Sequence, residues 1–310
     1  GSSVSGPEIV ELAALTPKPH QEAAVKKALC LFGYAEDGGR SPGMRGPGSP
    51  GTSRASVVLP PGAGKTLVGL WVSEAFSGPI LVVMPSLPLI DQTLASYGRY
   101  SHSVASGETK TLVAASKCAL KASTTSADVI EKFLRESQGD KSIIFSTYHS
   151  LGRVGEALRK AQLQLDLAIF DEAHVMAGQG EMHGLGLDGS DLPVKHRLFM
   201  TGTPRVFKKQ PGTEDGEVRT MDDESLFGPE VFKMTYRAAA DAGIVVPYKL
   251  VIYNRTNQYD DTRFQDIKAS VDTSRVPRED AELAIGLQDI RSKFNVSNAF
   301  SFHATNAEAK

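Results

Sequence analysis

Residues 56–66 read SVVLPPGAGKT. The last eight nearly fit G-x-x-x-x-G-K-[ST], the pattern of a loop that holds phosphates, but Leu59 stands where the pattern has its first glycine. Such a loop must aim successive backbone N–H groups inward at an anion, and glycine permits both the positive φ and the close approach this needs. Gly62 and Gly64 keep that geometry, with Pro61 and Ala63 completing the turn. Lys65 can reach the β- and γ-phosphates as a point charge, and the hydroxyl of Thr66 can ligate Mg²⁺. The run ASVVL before the loop reads as a buried strand and TLVGLWVSEAF after it has helical spacing. The anion would therefore meet a helix N-terminus. Leu59 falls at the last position of the strand, farthest from the phosphates, so the loop is expected to work. A plain Gly/Pro turn between two elements is the competing reading of the short pattern.

Working outward, short apolar runs alternate with helical patterns: ASVVL, PILVVM, KSIIFS, LDLAIF and HRLFMT. Each is bounded by turn residues and nearly continuous in apolar character, as strands of a parallel sheet covered by helices on both faces are. The expected class is α/β. In open sheets of this kind ligands gather beyond the carboxyl ends of the strands, and the polar motifs of this chain sit there. The strongest is LDLAIFDEAH, residues 165–174. A buried strand delivers two carboxylates at its exposed end: Asp171 can hold Mg²⁺, and Glu172 can orient and deprotonate an attacking water. His174 either bridges the nucleotide site to a neighbouring domain or packs as an ordinary loop residue.

Other stretches carry less. Residues 33–55, rich in Gly, Pro and Ser, read as a flexible surface insertion. AGQGEMHGLGLDG, residues 177–189, lacks a lysine and a following helix and reads as a surface loop, and the polar, acidic residues 205–230 read as a surface excursion. VFKMTY, a short helix RAAADAG, a strand-like YKLVIYN and a helical stretch around 277–294 follow. The 310 residues carry a formal charge of −2, so any nucleic-acid surface must be a local patch rather than a bulk property. Cys30 and Cys118 lack metal-ligand spacing and read as core residues of a protein in a reducing compartment. No apolar run approaches a membrane span and the N-terminus lacks the order of a signal peptide, which points to an intracellular protein, cytoplasmic or nuclear.

In order along the chain these motifs resemble those of the superfamily 2 helicases and translocases. LTPKPHQEAAVKKAL is similar to the family's adenine-recognition motif, which implies that Gln21 pairs with the adenine edge. PPGAGKT resembles motif I, FDEAH motif II, and LFMTGTPR motif III, where Thr201 and Thr203 would relay the state of the phosphate site. ILVVMPSLPLIDQTL resembles motif Ia and IIFSTYHSL the next strand-end motif. By that likeness Pro85, Ser86, Ser146, Thr147 and Tyr148 would touch a sugar–phosphate backbone. SLFGPEVFKMTYRAAADAGIVVPYKLVI and NAFSFHATNAEAK are similar to the DEAH / type I–III restriction-subunit-like branch, the latter to motif IV.

The resemblance implies a three-layer RecA-like P-loop NTPase domain over residues 15–250, after an N-terminal extension 1–14. A linker helix and the start of a second RecA-like domain would follow over 251–310. It further implies ATP and Mg²⁺ as cofactors, nucleic acid as partner (DNA rather than RNA), and an arginine finger on the second domain, so that this chain by itself should hydrolyse ATP slowly. The alternatives are a P-loop ATPase that remodels protein or acts on a small molecule, and a nucleotide-binding fragment without turnover. A Ser-His-Asp hydrolase has no nucleophile elbow here.

Overall fold

The computed structural model describes residues 16–34, 53–178, 186–187, 191–207, 218–248 and 291–294. The chain divides into two compact units, Gly1–Pro247 and Tyr248–Lys310. In the second unit the helical Arg291–Phe294 segment is described, within the helix expected near 277–294. Residues 249–254 of the expected strand YKLVIYN and the start of a second RecA-like domain lie outside the described residues, as do residues 1–14 and 35–52.

Among the described residues the first unit holds one eight-stranded, wholly parallel sheet in the order β4-β3-β5-β2-β6-β7-β1-β8. Its strands are β1 (Ser53–Val58), β2 (Pro79–Met84), β3 (Lys110–Ala114), β4 (Ser123–Thr124), β5 (Ser142–Thr147), β6 (Leu165–Asp171), β7 (Val194–Thr201) and β8 (Glu230–Lys233). The helices are α1 (Pro19–Leu31), α2 (Lys65–Glu74), α3 (Leu87–Tyr100), α4 (His102–Ala105), α5 (Ala127–Glu136), α6 (Leu151–Ala161), α7 (Glu224–Phe227) and α8 (Tyr236–Asp241). The expected α/β class and parallel sheet are both present. All five apolar runs form strands; the sequence reading did not assign β3, β4 or β8, which are only five, two and four residues long.

The near-continuous apolar character of these strands reflects burial on both faces. Ile80, Val82 and Met84 of β2 join one core with α1, α2 and α3, whereas Leu81 and Val83 join another with α5 and α6. In β6, Ile169 faces the first core and Phe170 the second. Because side chains alternate along a strand, two such layers require an apolar residue at nearly every position.

Four expectations need correction. The insertion is shorter than read: β1 begins at Ser53, and Tyr34 is buried with its ring 5.1 Å from that of Phe76. The 177–189 stretch is not wholly a surface loop, since Leu187 is buried and Arg197 Nε donates to Gly186 O at 2.8 Å. The 205–230 excursion returns to the core, where Phe227 is fully buried with its ring edge-on to Phe199 at 5.2 Å. Of the two cysteines, Cys30 lies outside the core and Cys118 packs against its edge. Cys30 is exposed on α1, and Cys118 is half-buried with its thiol donating to Asp91 Oδ1 at 3.0 Å.

Candidate active site

The strand order places the chemistry. β7 lies between β1, which leads into the phosphate loop, and β6, which ends at Asp171. Lys65, Glu172 and Thr201, far apart in the chain, therefore meet at the carboxyl ends of three adjacent strands.

β1 hands over to the loop as expected. Leu59 lies just past the strand, fully buried, and its N–H donates to Thr201 O at 3.0 Å, a core position that needs no glycine. Gly62 and Gly64 take φ of 83° and 86°, the left-handed region open to glycine, and α2 starts at Lys65. Ala63 O accepts from Gln21 Nε2 at 3.1 Å and lies 2.9 Å from His20 Nε2. A carbonyl only accepts, so His20 carries its proton on Nε2. His20 is a loop contact that the sequence reading did not single out. Gln21 Oε1 accepts from Lys18 N at 2.9 Å, so the protein satisfies both ends of this buried amide. Adenine would have to compete for it.

Glu172 stands at the centre of the site. Lys65 Nζ lies 3.2 Å from Glu172 Oε1, and Thr201 Oγ1 donates to Glu172 Oε2 at 3.4 Å. Thr201 Oγ1 also accepts from Thr203 N at 3.1 Å and lies 2.9 Å from His174 Nδ1. With the one hydroxyl proton of Thr201 directed at the carboxylate, His174 must donate from Nδ1. Burial lowers the His174 pKa, opposed by the charge of Glu172 and assisted by Arg205 and Lys65, so the ring is neutral near pH 7. The structure thus gathers Lys65, Glu172, His174, Thr201 and Thr203 into one hydrogen-bonded group.

Asp171 and Thr66 line one small crevice beneath the loop, with Gly69, Thr93, Tyr97 and Met200 among its walls. Among the described residues no cluster of three or more His, Cys, Asp or Glu could hold a metal alone. One carboxylate and one hydroxyl instead suit Mg²⁺, which keeps waters and takes further oxygens from phosphates. Burial, then the charge of Glu172, raises the Asp171 pKa to about 6, with Lys65 opposing. A raised native pKa means that the folded state binds the proton more tightly than the unfolded one. The associated stability is fully present below the unfolded value of 3.8 and is lost as pH rises through about 6. Asp171→Asn is therefore expected to stabilise the nucleotide-free protein at pH 7.5, on the order of 2 kcal/mol or about 5 °C in Tm. Melting curves should show that gain vanish below about pH 4; a gain independent of pH would contradict this origin.

The strand-end residues divide. Pro85 and Ser86, after β2, are half-exposed. Ser146, Thr147 and Tyr148 are buried, and their hydroxyls bond within the protein. Ser146 Oγ donates within the sheet, to Ala114 O at 3.1 Å, and the Tyr148 hydroxyl donates to Asp171 O at 2.8 Å. Their polar atoms serve the fold because β5 lies inside the sheet and its end is covered by the turn that follows.

A family model described as "Type III restriction enzyme, res subunit" matches residues 14–206. The probable helicase A859L of African swine fever virus (strain Badajoz 1971 Vero-adapted) is 27% identical over 206 residues, covering 64% of this chain and 22% of the viral protein. The same protein of isolate Pig/Kenya/KEN-50/1950 is 26% identical over 204 residues, with the same coverage. The chain thus spans 22% of the length of these relatives. Among solved structures, the ATP-dependent Type ISP restriction-modification enzyme LlaBIII bound to DNA superposes with a TM-score of 0.58 at 22% identity, covering 76% of this chain and 16% of that one. A nuclease-deletion mutant of the Type ISP enzyme LlaGI in complex with a DNA substrate mimic gives 0.57 at 20% identity, covering 90% and 24%. These two likenesses establish the fold. The match over residues 14–206, together with the loop and the Asp171–Glu172 pair, shows that the chain belongs to the type III restriction enzyme res subunit family and carries its superfamily 2 helicase-type ATP-binding domain.

Proposed function

We propose that this domain binds ATP with Mg²⁺ and couples its hydrolysis to movement along nucleic acid, DNA rather than RNA. The observation that carries the reading is the contact of Lys65 with Glu172 at 3.2 Å, with Glu172 joined through Thr201 to the end of β7. Lys65, buried and in contact with a carboxylate, is placed to exchange that partner for the β- and γ-phosphates. The N–H groups of residues 62–66 and the N-terminus of α2 would hold the same phosphates. Released from Lys65, Glu172 would orient a water and take its proton as the water oxygen bonds to the γ-phosphorus and the bond to the β–γ bridging oxygen breaks. Mg²⁺, when held by Thr66 and Asp171, would offset charge on the phosphate oxygens. His174, Thr201 and Thr203 would carry the position of Glu172 into the loop after β7.

Gln21 would report adenine, and Pro85 and Ser86 would face the polymer. The two superposed enzymes hold DNA or a DNA substrate mimic, which supports a DNA track. Phe170–His174 supports placement in the DEAH branch. An arginine finger from a second RecA-like domain would complete the site. An intracellular setting, where ATP and Mg²⁺ are at hand, belongs to the same reading. No described helix is long and apolar enough to cross a membrane.

The test is ATP hydrolysis by the longest natural product that contains this chain, with single-stranded DNA, duplex DNA, RNA or no polymer. DNA should stimulate it, and Lys65→Ala should remove the stimulated rate. Hydrolysis indifferent to all three polymers would sink the reading.

A further inference from the structure

The Tyr148 hydroxyl donates to the main-chain oxygen of Asp171 at 2.8 Å. Its ring is buried and stacked on Phe170, with centroids 6.4 Å apart and planes inclined by 30°. Burial, with the charges of Asp171 and Glu172, raises its pKa well above that of an ordinary tyrosine, so it remains a donor. The oxygen that it holds belongs to the peptide joining Asp171 to Glu172. The N–H of that same peptide donates to Asp171 Oδ1 at 3.0 Å, so both polar ends are tied.

Directly after this peptide Glu172 adopts φ 50° and ψ 47°. The left-handed region is unfavourable for a residue with a side chain, and it persists only where the surroundings enforce it. A rotation of the tied peptide would let Glu172 relax and carry its carboxylate away from Lys65 and Thr201. We propose that Tyr148 is a positioning residue, whose hydroxyl clamps the Asp171–Glu172 peptide and so aims the Glu172 carboxylate. The inference rests on Glu172 acting as the base. Tyr148 also opens the turn Tyr148–Ser150 after β5, which carries the exposed His149 and is closed by Thr147 Oγ1 donating to Ser150 Oγ at 3.2 Å. The clamp therefore ties this turn to the base.

Tyr148→Phe keeps the ring and removes only the hydroxyl. With protein in excess over ATP, hydrolysis is expected to fall by about tenfold or more, because small misplacements of a reacting group are costly. Affinity for a fluorescent ATP analogue should be unchanged. Without nucleotide, amide hydrogen exchange should rise in residues 170–176 and not in the rest of the sheet. In a Glu172→Gln background the same substitution should have no further effect on hydrolysis, since the group that it positions is gone. Tyr148→Phe at the parent rate, with Glu172→Gln slow, would remove the clamp and leave the proposed function standing. Glu172→Gln at the parent rate would remove both. A Tyr148→Phe loss that persists in full beside Glu172→Gln would make Tyr148 a packing residue and overturn the inference.

Discussion

Glu172→Gln is expected to lower ATP hydrolysis by about 10²–10⁴-fold, the range of a positioned general base, while nucleotide binding survives. Glutamine has the same length and can still accept from Thr201 Oγ1, which reaches Glu172 Oε2 at 3.4 Å. It cannot take a proton from water. It also withdraws the negative partner of Lys65, now 3.2 Å from Glu172 Oε1, so the lysine is freer to meet phosphate and ATP affinity should hold or rise. Single-turnover hydrolysis beside equilibrium binding of a fluorescent ATP analogue separates the two effects. Equal rates for parent and variant would show that Glu172 is not the base and that its contacts belong to the fold.

The second large effect concerns stability. Arg197 is fully buried in β7, and its guanidinium donates to Gly186 O at 2.8 Å, Leu192 O at 2.7 Å and Val194 O at 3.2 Å. Its partner in register on β1, Arg54, donates to Leu187 O and Leu226 O, each at 2.6 Å. Together the two side chains fasten the segment before β7, and the end of the excursion at α7, against the sheet. Arg197→Met keeps much of the stem and leaves buried carbonyls without donors, each worth about 1–3 kcal/mol. Relief of the buried charge offsets part of this. A net loss of about 3 kcal/mol, or about 6–12 °C in Tm, is expected. A melting temperature within about 2 °C of the parent would show that these carbonyls find other donors.

The same arginines show where local reading ends. Residues 177–189 and 205–230 are rich in glycine and in charge, and polar composition by itself reads as surface. Leu187 and Phe227 are nonetheless buried, because they join the same core as Phe170 of β6 and Phe199 of β7. Tyr148 is hidden from sequence in the same way. A tyrosine at a strand end has a polar tip that could face solvent, and only the parallel pairing of β5 and β2, with β6 beyond, brings Asp171 O within its reach.

Features that depend on neighbours in the chain could be read directly. Buried strands were legible because two-sided burial demands an apolar residue at nearly every position, and the phosphate loop because glycine spacing dictates backbone geometry. The Asp171–Glu172 pair was legible because an apolar strand ending in two carboxylates has few other uses. Features that depend on strand order could not be read this way. Insertion of β7 between β1 and β6 joins Lys65, Glu172, His174 and Thr201 into one group, and the place of β5 beside β2 turns Tyr148 inward. No short stretch encodes that order, because it follows from which strands pair once both faces of the sheet are covered.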